Sequence, residues 1–412
     1  MAATVTGSAR TATHGSPVGP SYDLMAWRRR IPLLGSVIAM NACSQGPQLD
    51  VTREAADAYL DSWNVAGMDW GAWMDETYRA KAEFARLINA SPDEIAVMSS
   101  VSEATASLAS ALDLTGPRRT VVVTEAEFPS VGQVWLASQK FGFDISYVPV
   151  RDGMVYVEDY DAVLDERTLI VSACHGYYQN GFKQDLAAVS RKVHETGGLL
   201  YVDAYQTLGT CPVDVKALDI DFLTSGTLKY LLGVPGIAFM YVKPELVDRL
   251  HPTITGWFGR ADPYSFNVKG LDWAPTAARF DTGTPPVINA YISRAGMSVI
   301  NEIGAEHIEA WTTELSRRLI VGGRARGFTL HGQDDPTRKS PSTAFICPGD
   351  SHKVEASLRG KGVIASARGP VIRLAPHFYS TMEECDLALD ALQAVFEEDA
   401  PVEVSAVCRV AE

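Results

Sequence analysis

Tyr201-Val202-Asp203-Ala204-Tyr205-Gln206, and after it Asp219-Ile220-Asp221-Phe222-Leu223-Thr224-Ser225-Gly226-Thr227-Leu228-Lys229-Tyr230-Leu231-Leu232-Gly233, decide the fold. The first block closes the apolar run Leu199–Val202. The second contains Phe222–Thr224, and Gly236–Val242 follows it. Each run is short, apolar or β-branched, and bounded by turn residues, as in strands buried on both faces. An acid therefore stands at the carboxyl end of one strand, and a lysine just past another. In an open α/β sheet that edge is where ligands bind. By themselves, Asp203 reads equally as a helix cap and Lys229 as a solvated loop side chain.

Outward from this core the texture persists. Ile95–Met98, Thr120–Thr124, Ile145–Val150 and Leu169–Ala173 are further apolar runs. From Trp70 to Asn89, the side chains Trp73, Ala80, Phe84, Leu87 and Ile88 recur at helical spacing, and Val101–Leu112 reads as a helix. Helices alternating with buried strands imply an α/β fold with a mainly parallel sheet. After about residue 290 the pattern changes. Helical patterns run from Ile288 to Ile303, where Gly304 can end one, and from Glu306 to Val321. Phe328–Leu330, Ser342–Cys347, Val363–Ala367 and Val371–Leu374 read as strands. A helix near His352–Arg359 interleaves them, and one from Met382 to Phe396 follows. The expected organisation is a leader and arm over 1–45, a large α/β domain over 46–300, and a smaller α+β domain over 301–412. The arm is expected to pack on the smaller domain.

The chain has 412 residues, 36 basic and 50 acidic, for a net charge of −14, and 46% of it is hydrophobic. That supports a large core and excludes a disordered chain or a small disulfide-stapled scaffold. The acidic balance argues against a nucleic-acid partner, since neutralising phosphates needs a basic face. Six cysteines form no C-x-x-C pair and have no histidine at zinc-finger spacing, so no metal set is expected. They read as reduced, partly buried thiols of a cytoplasmic protein. Arg28–Arg30 before Ile31–Ala42 has the outline of an export signal, but Asp23 lies in the leader, and Gly35 and Asn41 break the apolar stretch. The expectation is a leader to about residue 20, a strand near Ser36–Met40, and a turn over Asn41–Pro47. No segment reaches the ~18 apolar residues of a membrane span.

The Asp203…Gln206 and Lys229…Gly233 blocks, with Gly283-Thr284, resemble the core of pyridoxal-phosphate enzymes of fold type I. Among these the resemblance is to the class V aminotransferases, which include the cysteine desulfurases, kynureninase and isopenicillin N epimerase-like proteins. It spans about residues 36–395. It implies an enzyme holding pyridoxal 5′-phosphate as a Schiff base on Lys229, which then serves as acid and base at the substrate α-carbon. Asp203 would keep the pyridine nitrogen protonated, and Gln206 would bond the ring hydroxyl. Ser100, Val101 and Ser102 would supply phosphate donors at a helix start, with Ser100 where the family usually has Gly. Ser225 and Thr227 would add hydroxyls there, although Leu228 replaces the usual His before the lysine. Phe128 takes the place of the ring that stacks on the cofactor, and it cannot shuttle protons. Tyr178 falls where the family often has an Asn touching the ring hydroxyl, and it reads equally as packing. Thr284 inherits a contact to a neighbour's phosphate, which implies a homodimer with shared active sites. Arg373, in Val371-Ile372-Arg373-Leu374, matches the arginine that binds the substrate carboxylate.

Cysteine desulfurases carry a nucleophilic Cys just before that arginine strand. Here residues 360–370 contain none, which disfavours persulfide chemistry. The expected reaction is therefore C–S lyase-type β-elimination from an S-substituted cysteine, a small amino-acid-type substrate. The acidic balance and Ser/Ala-rich leader give an impression of secondary metabolism. Transamination, and epimerisation or decarboxylation-linked deamination, stand as alternatives. A non-catalytic scaffold on this fold would be expected to have lost Lys229 or Asp203. Trp257 and Phe258 read either as an aromatic mouth or as interface packing.

Overall fold

The computed structural model describes residues 19–398. Residues 1–18 of the expected leader, and Cys408, lie outside them. The chain begins with α1 (Leu24–Arg29) and β1 (Ile38–Ala39), then α2 (Asp50–Ala66) and α3 (Trp70–Leu87). Next come β2 (Ile95–Met98), α4 (Val101–Ala111), β3 (Thr120–Thr124), α5 (Pro129–Ser138), β4 (Asp144–Val148) and β5 (Thr168–Cys174). α6 (Leu186–Glu195), β6 (Leu199–Asp203), β7 (Phe222–Gly226) and β8 (Ala238–Val242) complete the first sheet's elements. α7 (Val287–Ile303) and α8 (Ala305–Ala325) lead to β9 (Thr343–Ile346), α9 (Ser351–Gly360), β10 (Val363–Ile364), β11 (Ser366–Arg368), β12 (Val371–Leu374) and α10 (Met382–Glu398).

The large sheet has seven strands in the order β2-β8-β7-β6-β5-β3-β4. Only β8 runs against its neighbours, pairing antiparallel with β2 and β7. The carboxyl ends of β2, β3, β5, β6 and β7 therefore share one edge. Along β6, Leu200 and Val202 enter one apolar layer and Tyr201 the other, as a period of two requires. Both faces are thus covered, which is why these strands read as unbroken apolar runs. The second sheet, in the order β11-β12-β9, is antiparallel.

The N-terminal arm joins this second region. Ile38 pairs with Val363 and Ala39 with Ile364 in a parallel ladder, and Arg28 forms a two-pronged ion pair with Glu384 of α10. The expected strand Val363–Ala367 is two short ones, β10 facing the arm and β11 facing β12. Phe328–Leu330, expected as a strand, forms only the single bridge Leu330↔Phe345. Its first residue instead closes α8: Phe328 N–H donates to the Gly323 carbonyl beyond left-handed Gly327, and its ring packs on Phe345. α2 went unread because only Thr52 and Ala55 of it are buried, while Leu60, Trp63 and Val65 face outward. Cys43, Cys174, Cys211 and Cys385 are buried free thiols. Among the described residues no helix is long and apolar enough to cross a membrane.

Candidate active site

A cavity of about 300 Å³ opens where the common edge of the large sheet meets β11 and β12. Ser100, Val101, Ser102, Phe128, Tyr178, Asp203, Gln206, Lys229 and Arg373 all line it. Residues distant in sequence converge because each follows, or lies within, a strand reaching that edge.

Asp203 ends β6 and is buried. Its Oδ1 accepts the Tyr205 N–H at 2.8 Å, while Oδ2 receives no hydrogen bond from the described residues. Burial pushes its carboxyl pKa up, opposed by the Tyr205 N–H and the Lys229 charge. Glu127 is buried nearby, with the Ser172 hydroxyl donating to it at 3.1 Å. Burial, and then the charge of Asp203, raise Glu127 well above the usual carboxylate range. The buried Asp203 carboxylate, with a free oxygen facing a cavity, fits a protonated pyridine nitrogen.

Lys229 follows β7. Its Nζ sits 4.1 Å from the centroid of the Tyr205 ring and 5.5 Å from that of Phe128. No described carboxylate pairs with it. Burial lowers its pKa to about 8; Asp203 opposes this, while Arg373 and Arg368 reinforce it. The arm supports the turn: Gly46 N–H donates to the Leu228 carbonyl at 2.8 Å. A Cβ on Gly46 would come within 2.5 Å of the Lys229 carbonyl oxygen, so only glycine permits that approach.

Helix α4 starts at the cavity wall. Ser100 caps the helix, its hydroxyl accepting the Glu103 N–H at 3.1 Å, and leaves the first-turn N–H groups of Val101 and Ser102 without intrahelical acceptors. Ser100 has extended backbone, φ −163° and ψ 160°, so no glycine is needed there. Phe128, at the start of α5, meets Tyr178 edge to face at 5.2 Å. Gln206 donates to the Cys43 carbonyl at 3.2 Å.

Arg373 in β12 is 0% exposed. It donates to the Tyr178 carbonyl at 2.6 Å, the Ser44 hydroxyl at 3.0 Å and the Ser366 carbonyl at 3.5 Å. All three are neutral, and no described carboxylate pairs with it. A buried guanidinium with only neutral partners beside an open cavity suits a ligand carboxylate.

Two residues expected at the phosphate lie elsewhere, and Thr284, expected to reach a neighbour's phosphate, lies away from the Lys229 cavity of its own chain. The Ser225 hydroxyl donates to the Gly226 carbonyl, and Thr227 bonds Ser293 and the Val234 carbonyl. Neither lines the cavity. Thr284 is exposed and lines a second cavity of about 350 Å³ with Ser99, Glu103 and Phe258. Trp257 stacks on Trp70 and Phe266, outside the Lys229 cavity. Sequence reasoning missed Tyr205, Ser44 and Arg368, which also line the Lys229 cavity. Tyr205 sat inside the deciding block. Arg368 sat in a stretch read only for its missing cysteine.

The family model for aminotransferase class V matches residues 40–378. The chain is 36% identical over 370 residues to a Bacillus subtilis protein named uncharacterized aminotransferase YcbU, covering 89% of this chain and 97% of that one. It is 28% identical over 397 residues to a probable cysteine desulfurase of Methanothermobacter thermautotrophicus, covering 89% and 97%. In fold it is similar to the apo cysteine desulfurase of Thermococcus onnurineus, with a TM-score of 0.82 and 22% identity over 91% of this chain and 98% of the other. It is also similar to the cystine C–S lyase C-DES, with a TM-score of 0.80 and 20% identity over 88% and 99%. The chain is thus a fold type I enzyme that uses pyridoxal 5′-phosphate, and it belongs to the class V aminotransferase family.

Proposed function

We propose that this enzyme breaks a bond at the α-carbon of an amino acid, and that its reaction is β-elimination from an S-substituted cysteine. The observation that carries the reading is one cavity holding the Lys229 amine, which pairs with no described carboxylate, the half-free Asp203 carboxylate, and the Arg373 guanidinium with only neutral contacts among the described residues. When bound, pyridoxal phosphate supplies an electron sink for charge developing at the α-carbon. Lys229 would anchor it covalently, Asp203 would pair with its ring nitrogen, and the start of α4 would hold its phosphate. Arg373 grips the substrate α-carboxylate and so orients the α-carbon toward Lys229. With the cofactor in place, Lys229 would be the amine placed to take and return the α-proton, and burial that lowers its pKa to about 8 would suit that role near neutral pH. Release of the sulfur substituent as a thiol, with water consumed, leaves pyruvate and ammonia.

Elimination is favoured because residues 360–370 form the end of α9 and the β10–β11 strands with no thiol among them. The second reading, transamination, rests on the name of the Bacillus relative at 36% identity. We also propose a cytoplasmic homodimer. Exposed Thr284, with the outward-facing Tyr264 and Phe266 beside Trp257, supports a face where a second copy brings Thr284 to a phosphate.

The test is turnover of S-substituted cysteines and ordinary L-amino acids by wild type and Lys229→Ala. Thiol and pyruvate released together by wild type alone support elimination. A cofactor converted to its amine form, and restored by a keto acid, assigns transamination instead.

A further inference from the structure

The hairpin that carries Arg373 carries a second arginine toward the same cavity. β11 and β12 pair with Ser366 opposite Arg373 and Arg368 opposite Val371. Residues opposite one another in an antiparallel pair share a face, so Arg368 and Arg373 stand on one face as diagonal neighbours. The two-residue turn Gly369-Pro370, with Gly369 at φ +56°, fixes that register. Both guanidinium-bearing side chains line the Lys229 cavity.

Arg368 is chemically unfinished. Its Nε is buried and has no hydrogen-bond partner, and no described carboxylate lies within ion-pair distance. The cavity thus gathers Lys229, Arg368 and Arg373 against the single carboxylate of Asp203. On the reading above, Asp203 is matched by the cofactor ring, the phosphate by the start of α4, and Arg373 by the substrate α-carboxylate. Arg368 then remains as a cation with nothing to neutralise it once a substrate displaces water. A buried guanidinium N–H without an acceptor is costly, and a second anion on the substrate removes that cost.

We propose that Arg368 determines specificity by binding a carboxylate at the end of the substrate side chain. The substrate class is an amino acid with two carboxylates, Arg373 holding the α-group and Arg368 the distal one. This rests on the α-carbon reading and narrows it. A side chain that itself ends in a carboxylate and an S-substituent that carries one present the same chemistry to Arg368.

The test is spectral titration of the cofactor-loaded enzyme with two matched pairs: S-carboxymethyl-cysteine against S-ethyl-cysteine, and L-glutamate against L-norvaline. Wild type should bind the charged member of at least one pair about tenfold or more tightly, as a charge-assisted hydrogen bond warrants. Arg368→Gln should abolish that preference while leaving the uncharged member within about twofold, and Arg368→Lys should restore part of it. A preference confined to one pair tells whether the distal carboxylate belongs to an S-substituent or to a plain side chain. Equal binding within both pairs by wild type, or a preference that survives in Arg368→Gln, overturns the assignment. A cofactor spectrum that no amino acid perturbs overturns instead the α-carbon reading beneath it.

Discussion

The Tyr205 ring lies 4.1 Å from Lys229 Nζ and also covers Gly226, where an added Cβ would overlap the tyrosine hydroxyl and ring. One aromatic side chain thus occupies the space of a missing methyl group and forms one wall for the amine. Desolvation by such walls is the main reason the amine loses its proton more easily than a free lysine. Gly226→Ala should therefore destabilise the protein by about 1–3 kcal/mol through overpacking. Tyr205→Ala in the same chain should recover part of that loss. Urea denaturation of the two single variants and the double variant measures the coupling. Strict additivity would show that the ring does not rest on Gly226.

Lys229 should make the cofactor-free protein less stable at low pH. Its folded-state pKa of about 8 is below the ordinary 10.5, so between these values the unfolded chain binds the extra proton. Stability then rises with pH across that window, and the penalty is fully present below about pH 8. Lys229→Met removes the charge. It should stabilise the cofactor-free protein by on the order of 3 kcal/mol at pH 7 and by little above pH 10.5. Denaturation curves at several pH values check the slope. A variant with the same pH dependence as wild type would show that the buried amine does not carry it.

Asp203→Asn should move the lysine the other way. Asp203 raises the Lys229 pKa, so its loss should bring the amine's midpoint below 8. The pH dependence of cofactor capture by the cofactor-free protein reads this midpoint. Turnover should also fall by about a hundredfold or more, as expected when a preorganised charge is removed from a reacting centre. An unchanged midpoint would place the carboxylate out of electrostatic reach of the amine.

Ser100 separates the cap from the backbone donors. Ser100→Gly keeps an extended backbone available and should cost a few tenths of a kcal/mol, whereas Ser100→Ala should cost about 1 kcal/mol through the lost bond to Glu103 N–H. Both should still bind cofactor, because the N–H donors of Val101 and Ser102 are backbone groups. Thermal melts and cofactor titration of the two variants separate these effects. Loss of cofactor binding in both would assign the phosphate contact to the hydroxyl itself.

Much of this architecture was legible because the chemistry is tied to strand ends. β6 and β7 are apolar on both faces, so their ends could be located, and with them Asp203 and Lys229. Val101 and Ser102 could be placed by the same logic, as a polar turn between a buried strand and a helix. What stayed hidden depends on pairing or packing. Arg368 becomes a cavity residue only through the register that sets it diagonal to Arg373; the Arg-Gly-Pro turn was a usable signal that went unread. Tyr205 reaches Lys229 only because Gly226 leaves room for its ring. Ser225 and Thr227, close to Lys229 in sequence, spend their hydroxyls on the backbone and on Ser293. Sequence proximity to Lys229 therefore says little about which way a neighbouring hydroxyl turns.

The most direct test is the absorbance spectrum of the purified protein reconstituted with pyridoxal phosphate, recorded for wild type and Lys229→Ala before and after adding S-carboxymethyl-cysteine. The account predicts a visible cofactor band characteristic of a lysine linkage in wild type, absent from Lys229→Ala, and perturbed by the amino acid with release of a thiol. A band unchanged in Lys229→Ala, or no band in wild type after reconstitution, would contradict the assignment of Lys229 as the residue around which this cavity is built.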